Sequence, residues 1–195
     1  MKARGPRAWA GLVVAWMLLS VLAWWWPAPL FDWQPGQAFT EPWRAWTALF
    51  IHWSEWHLLA NLGAAAVVAA YGYHAPVALP QALALFLAWP LTHGALLLKP
   101  DLLHYGGLSG VLHAGVAIVS LTLIVQARGG RRAVGAAVML GLVIKLATEQ
   151  PWGPALQRTP EFDIAVAPIG HLTGAMAGLV CGALALLFTP RQSIA

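Results

Sequence analysis

Six apolar stretches, at roughly residues 9–26, 56–73, 77–98, 107–126, 133–148 and 167–188, take up most of this 195-residue chain. Most approach the ~20 apolar residues that a helix needs to cross the ~30 Å hydrocarbon layer of a bilayer, and the shortest falls a few residues below that. Within that layer backbone polar groups must be satisfied internally, which favours helices. With 59% hydrophobic and only 9% charged residues, the chain lies far from the composition of soluble domains. The expected fold class is an all-α membrane protein, a six-transmembrane-helix bundle with no room for a separate soluble domain. The first stretch follows Lys2, Arg4 and Arg7 in the manner of a secretory leader. Bulky Trp24, Trp25 and Trp26 followed by Pro27 make a poor cleavage site, so the stretch is read as a retained helix.

Loop charges give an orientation, because cytoplasmic loops collect Lys and Arg. In a six-span arrangement Lys2, Arg4, Arg7, Arg128, Arg131, Arg132 and Arg191 all fall on one side. The acidic residues Asp32, Glu41, Glu55, Asp101, Glu149, Glu161 and Asp163 fall at or near the other. Both termini are therefore expected to be cytoplasmic, with the long connections 27–55 and 150–166 outside, and a bacterial inner membrane suits this pattern. The net charge of +4 follows from that topology and does not point to nucleic acid. The single Cys181 permits no intramolecular disulfide and is read as a small packing residue. The twelve Trp residues are expected to anchor segment ends in the headgroup layer. A first outer loop as long as this one is expected to be self-packed or functional.

Against this background Ser109, at the head of the fourth stretch, is out of place unless it reacts. Its hydroxyl attacks a carbonyl only if a base removes the proton. His171 opens the sixth stretch, which runs in the same direction, so the two residues share a depth near the outer leaflet. His57 and Asn61, four apart on the second stretch, share one helical face at a similar level. Three helices thus bring a hydroxyl, an imidazole and a pair of polar donors into one layer, an expensive arrangement in hydrocarbon. Gly170, Gly174, Gly178 and Gly182 recur every four residues and form a ridge against which another helix can approach closely. The fourth stretch offers Gly106, Gly107, Gly110 and Ala114 in return. Membrane packing by small residues explains this ridge without any chemistry, so the glycines alone do not decide between the two readings.

Taken in order, these residues resemble the motif set of the rhomboid intramembrane serine proteases, over nearly the whole chain. Trp43-Arg44 resembles the Trp-Arg signature of the first outer loop. His52, His57 and Asn61 follow H-x4-H-x3-N, Gly107-Leu108-Ser109-Gly110 follows G-x-S-G, and His171, Gly174 and Gly178 follow H-x2-G-x3-G. Each motif is weak alone and the four together are specific. The resemblance implies one rhomboid-like domain over 1–195, with Ser109 as nucleophile and His171 as general base, then general acid. In such a dyad no third acid is required. It further implies an oxyanion hole made by His57, Asn61 and the Ser109 N–H, a structural role for His52 in holding the outer loop, and a fifth helix that acts as the gate. It implies no cofactor.

One position departs from the common pattern: His113 stands where a tyrosine usually packs on the catalytic histidine. It is expected to stack under His171, to orient it, or to compete with it as base. Gly-Leu-Ser-Gly-Val-Leu-His, in a compact chain, resembles the rhombosortase subgroup. That resemblance implies substrates that are exported proteins with a C-terminal Gly-Gly-type motif, a transmembrane helix and a basic end, cleaved by water or by transfer to an amine. Lys145, near the outer end of the fifth stretch, is expected to snorkel. His74, His93 and His104 sit in loops or near segment ends and need no special role, although His104 is close to the serine loop. No metal is expected, since H-E-x-x-H is absent. Two other functions remain: a non-catalytic relative that binds membrane helices, and a small transporter. Retention of both Ser109 and His171 argues against the first. The lack of an inverted repeat argues against the second.

Overall fold

A computed structural model describes residues 4–189. Lys2 and Arg191, counted above among the cytoplasmic charges, lie outside the described residues. Six long helices form an all-α bundle: α1 (Arg4–Leu22), α2 (Glu55–His74), α3 (Leu79–Gly94), α4 (Ser109–Gln126), α5 (Gly129–Thr148) and α6 (Pro168–Leu187). Four of them are long and apolar enough to cross a membrane: α1 with its 3-10 extension to Trp25, α3 with its extension to Leu98, α4 and α6. The other two match them in length but carry more polar residues, Glu55, His57 and Asn61 on α2 and Arg131, Arg132 and Lys145 on α5.

Local sequence sets the helix starts that matter for the site. Ser54 caps α2 by accepting the His57 backbone N–H at 3.0 Å. Pro168 opens α6, where its missing N–H costs nothing. Helix α4 is the central element, with twelve of its eighteen residues buried against five of nineteen for α1.

The glycine ridge of α6 lies on α4. A Cβ added at Gly174 would sit 1.8 Å from the Gly110 carbonyl oxygen, and one at Gly178 would sit 2.4 Å from that of Ala114. Only residues without side chains allow this approach, and in lipid such close contact is itself a principal source of helix association. On the opposite flank Trp9 of α1 lies over Gly72 of α2 and donates its indole N–H to the Val68 carbonyl at 3.0 Å. Trp9, Trp16, Trp33 and Trp89 are buried inside the bundle. For these four the expectation of interface anchoring is corrected, because a ring that finds a facing glycine or an aromatic neighbour packs inward; Trp25, Trp26, Trp43, Trp46, Trp53, Trp56 and Trp152 stay exposed. Trp16 meets Trp89 edge-on with ring centroids 5.3 Å apart.

The first long connection, residues 27–55, is self-packed, as one of the two expectations held. It is a chain of short helical turns at Ala28–Phe31, Pro35–Gln37, Arg44–Thr47 and Ala48–Phe50. Arg44 is buried among them and bonds the carbonyls of Pro29 and Asp32 at 2.9 and 3.1 Å, the Asp32 carboxylate at 3.3 Å, and Glu41. Asp32 also receives His104 at 2.7 Å. His93, next to last in α3 and so near a segment end as expected, is fully buried, with its Nδ1 2.6 Å from the Ala45 carbonyl. Between α5 and α6, β1 (Gln157–Arg158) pairs antiparallel with β2 (Ala165–Val166). The loop joining these strands is fastened to the start of α2 by Ser54 to Asp163 at 2.7 Å and by the Trp56 indole to the Glu161 carbonyl at 2.9 Å. Both long connections therefore meet at the end of the bundle that carries Ser109.

Candidate active site

The serine is delivered by a tight turn. Gly107 takes a φ of +105°, a conformation that a side chain strongly disfavours, and its N–H is held by the Ala48 carbonyl at 2.9 Å. The chain then enters α4 with Ser109 as the first helical residue, so the Ser109 N–H has no partner within its own helix. His171 occupies the first turn of α6 and is buried. Its Nε2 lies 3.1 Å from Ser109 Oγ. The glycine contact between Gly110 and Gly174 is what lets the two helices come this close.

The sequence did not call for the next contact. Glu149, the residue that closes α5, places Oε2 2.8 Å from His171 Nδ1. Its other oxygen pairs with Lys145. A carboxylate at Nδ1 assigns the ring proton there and leaves Nε2 free to accept the Ser109 hydroxyl proton. Burial raises the Glu149 pKa, but the hydrogen bond and charge of His171 together with Lys145 outweigh burial and hold the carboxyl well below its usual range. Lys145 is half-exposed and reaches one turn toward the end of α5, where Glu149 accepts it. By its place in the sequence Glu149 is only a charge at or near the outer side. The available signal was an i,i+4 Lys-Glu pair at the end of an apolar segment.

His113 stacks on His171, with ring centroids 4.2 Å apart and planes 13° from parallel. Its Nδ1 faces the Ser109 carbonyl of its own helix at 2.7 Å. Of the three roles open to it in the sequence, the geometry is that of stacking and orientation. Donor atoms of His113, Glu149 and His171 come within 4.8 Å of one another, close enough to raise a metal site. Two stacked imidazoles direct their in-plane lone pairs in parallel, however, so they do not converge on one ion as tetrahedral ligation requires.

The donors from α2 face the serine turn. A Cβ at Gly107 would lie 2.8 Å from His57 Nε2 and 3.6 Å from Asn61 Nδ2. One Asn61 N–H is used on the His57 carbonyl at 2.9 Å, which fixes the amide and leaves the second N–H. His52 lies outside the helix, with Nδ1 3.1 Å from the Phe50 carbonyl and its ring 4.8 Å from that of His57. Burial lowers its pKa to about 4, so it is neutral at pH 7 and packs behind His57. Trp43 is half-exposed and does not line the cavity, whereas Arg44 builds the loop. Ser109, His171, Glu149, His57 and Asn61 line one cavity of about 610 Å³, roofed by the 156–168 segment.

The Rhomboid domain family model matches residues 40–188, which include every one of these groups. This chain belongs to the rhomboid family. Rhomboid proteins are intramembrane serine proteases, hydrolases that act on transmembrane protein substrates in the lipid bilayer, and the match begins just before the Trp43-Arg44 loop and runs to the end of α6. No curated protein matches the chain significantly.

Proposed function

We propose that this rhomboid protein is an active endopeptidase that cleaves transmembrane substrates near the outer membrane face, with Ser109 as nucleophile and His171 as base. The 3.1 Å approach of Ser109 Oγ to His171 Nε2 on a cavity wall supports this reading above all. The Ser109 proton passes to Nε2 as Oγ bonds the scissile carbonyl carbon, and the carbonyl π pair moves onto oxygen. His57 Nε2–H, the free Asn61 N–H and the Ser109 N–H hold that oxyanion. Removing one such donor typically costs about a hundredfold or more in rate. When the C–N bond breaks, the amine leaves with the proton carried by His171, and water or an amine then takes the acyl group. Gly107 keeps the space beside His57 and Asn61 open, Gly110 and Gly174 hold the two reacting helices together, and His113 orients the base by stacking.

All six helices span the membrane in this proposal, as one domain over 1–195, with cytoplasmic termini and a cavity open to the periplasmic side of a bacterial inner membrane. The motif set around Ser109 and the stacked His113 favour the rhombosortase subgroup. The substrates would then be exported proteins that end in a Gly-Gly-type motif, a helix and a basic tail.

Ser109→Ala and His171→Ala are each expected to abolish cleavage of a tail-bearing reporter and labelling by a fluorophosphonate probe, with unchanged thermal melting in detergent. A folded wild-type protein that neither labels nor cleaves would leave the non-catalytic helix-binding reading. Equal cleavage of reporters with and without the Gly-Gly motif would leave a rhomboid protease of other specificity.

A further inference from the structure

Rhomboid chemistry as read above needs only a dyad, yet a third group reaches the base. Glu149 Oε2 lies 2.8 Å from His171 Nδ1, on the side of the ring opposite Ser109. The backbone is shaped to put it there. Gln150, the next residue, adopts a φ of +49°, uncommon for a residue with a side chain. Its carbonyl is held by the Gly153 N–H at 2.8 Å and the Gln157 side chain at 3.2 Å. Helix α5 therefore ends abruptly, and its last carboxylate remains at the cavity wall instead of running out into the loop.

We propose that Glu149 is a positioning residue that turns the dyad into a Ser109-His171-Glu149 triad; the proposal rests on the Ser109 and His171 reading. The carboxylate accepts Nδ1–H, which fixes the tautomer whose Nε2 lone pair faces Ser109. As Ser109 Oγ bonds the carbonyl carbon, its proton moves to Nε2 and the ring becomes an imidazolium beside an anion 2.8 Å away. Glu149 stabilises that cation and takes no proton. The Nε2 proton leaves with the amine, and the ring returns to its starting tautomer. Lys145 on the other carboxylate oxygen keeps Glu149 ionised, while the stacked His113 closes one face of the ring.

The test is the rate of fluorophosphonate labelling against pH for the full chain in detergent. The forms compared are wild type, Glu149→Gln, Glu149→Asp and Ser109→Ala. Glu149→Gln is expected to label on the order of 10²–10⁴-fold more slowly, as when an amide replaces the carboxylate of a serine triad. The midpoint of its acid limb should fall by a unit or more, because the imidazolium loses its counter-ion. Glu149→Asp should recover part of the rate and most of the midpoint, which a merely structural contact would not do. Wild-type rate and midpoint in a folded Glu149→Gln protein would overturn the triad while leaving the dyad intact. Undiminished labelling of Ser109→Ala would instead overturn the underlying assignment of the nucleophile. Should Glu149→Gln not fold, histidine ¹⁵N shifts of the wild type decide, with the His171 signal identified by its loss in His171→Ala. A neutral ring protonated on Nδ1 supports the proposal and one protonated on Nε2 refutes it.

Discussion

Helices α4 and α5 are adjacent in the chain and nearly equal in length, yet they are held in opposite ways. Twelve of the eighteen residues of α4 are buried, and α6 meets it backbone to backbone at Gly110 and Ala114. Only Gly135 and Leu142 of the twenty residues of α5 are buried. The proposed nucleophile and base thus sit on an interlocked pair, while Glu149, the group proposed to orient the base, closes a helix that buries little of its own surface. The 3.1 Å Ser109-His171 distance is set by backbone contact between α4 and α6, whereas the 2.8 Å Glu149-His171 contact comes from the end of a helix that keeps most of its residues outside the core. In a site that must admit a transmembrane segment, movement of α5 would separate the carboxylate from its base and leave the other two groups in place.

The most severe way to break this contrast is to separate the interlocked pair. Gly174→Val places a branched side chain where even a Cβ would lie 1.8 Å from the Gly110 carbonyl oxygen, so backbone must shift. Overpacking of this kind costs about 3 kcal/mol or more when no side chain can yield. The expected outcome is loss of the folded protein, seen as failed thermal melting in detergent and no fluorophosphonate labelling. A variant that melts and labels like wild type would show that α4 and α6 are not locked.

Much of this contrast was legible in the residues. The Gly170 to Gly182 repeat announced a helix contact, and each of the six apolar stretches coincides with a long helix to within a few residues at most ends. Equal depth on parallel helices brought Ser109 and His171 together as expected, because spans of fixed length in a bilayer turn sequence position into height. What height cannot supply is rotation about the helix axis, or the path of a loop. Glu149 was missed because its approach depends on the turn at Gln150, and His93 because burial of a histidine depends on a carbonyl from the Arg44–Thr47 turn. Trp9 and Trp16 were misassigned to the interface because the glycines and rings that receive them lie far away in sequence.

A smaller effect tests the tether at the end of α5. Glu149 has its pKa lowered from 4.5 to about 2, because burial, which raises it, is outweighed by His171 and Lys145. A carboxyl depressed on folding contributes stability that is present above its unfolded value and is lost as pH falls through its folded value. Wild type should therefore melt higher than Glu149→Gln at pH 6. The gap should be constant down to about pH 4.5 and shrink steadily between there and pH 2. The groups facing Glu149 are Lys145 on α5, His171 on α6 and the stacked His113 on α4. A gap that does not change with pH would mean that the carboxylate holds α5 by shape and not by charge.

The smallest effect is the most direct measure of how loosely α5 is held. Gly141 lies mid-helix, and a Cβ added there would meet nothing within 4 Å, unlike one at Gly174. Alanine at a helix interior is favoured over glycine by roughly 1 kcal/mol in water, through backbone entropy. In a lipid-facing helix whose backbone is already fully bonded the gain should be no larger. Gly141→Ala is accordingly expected to melt at or slightly above wild type and to label at the same rate. A loss of stability instead would mean that another surface covers Gly141 in the membrane, and the loosely held helix would then have a partner that the isolated bundle does not contain. Side chains added at Gly174 of α6 and at Gly141 of α5 would thus decide which of the two helices is fixed by its neighbours.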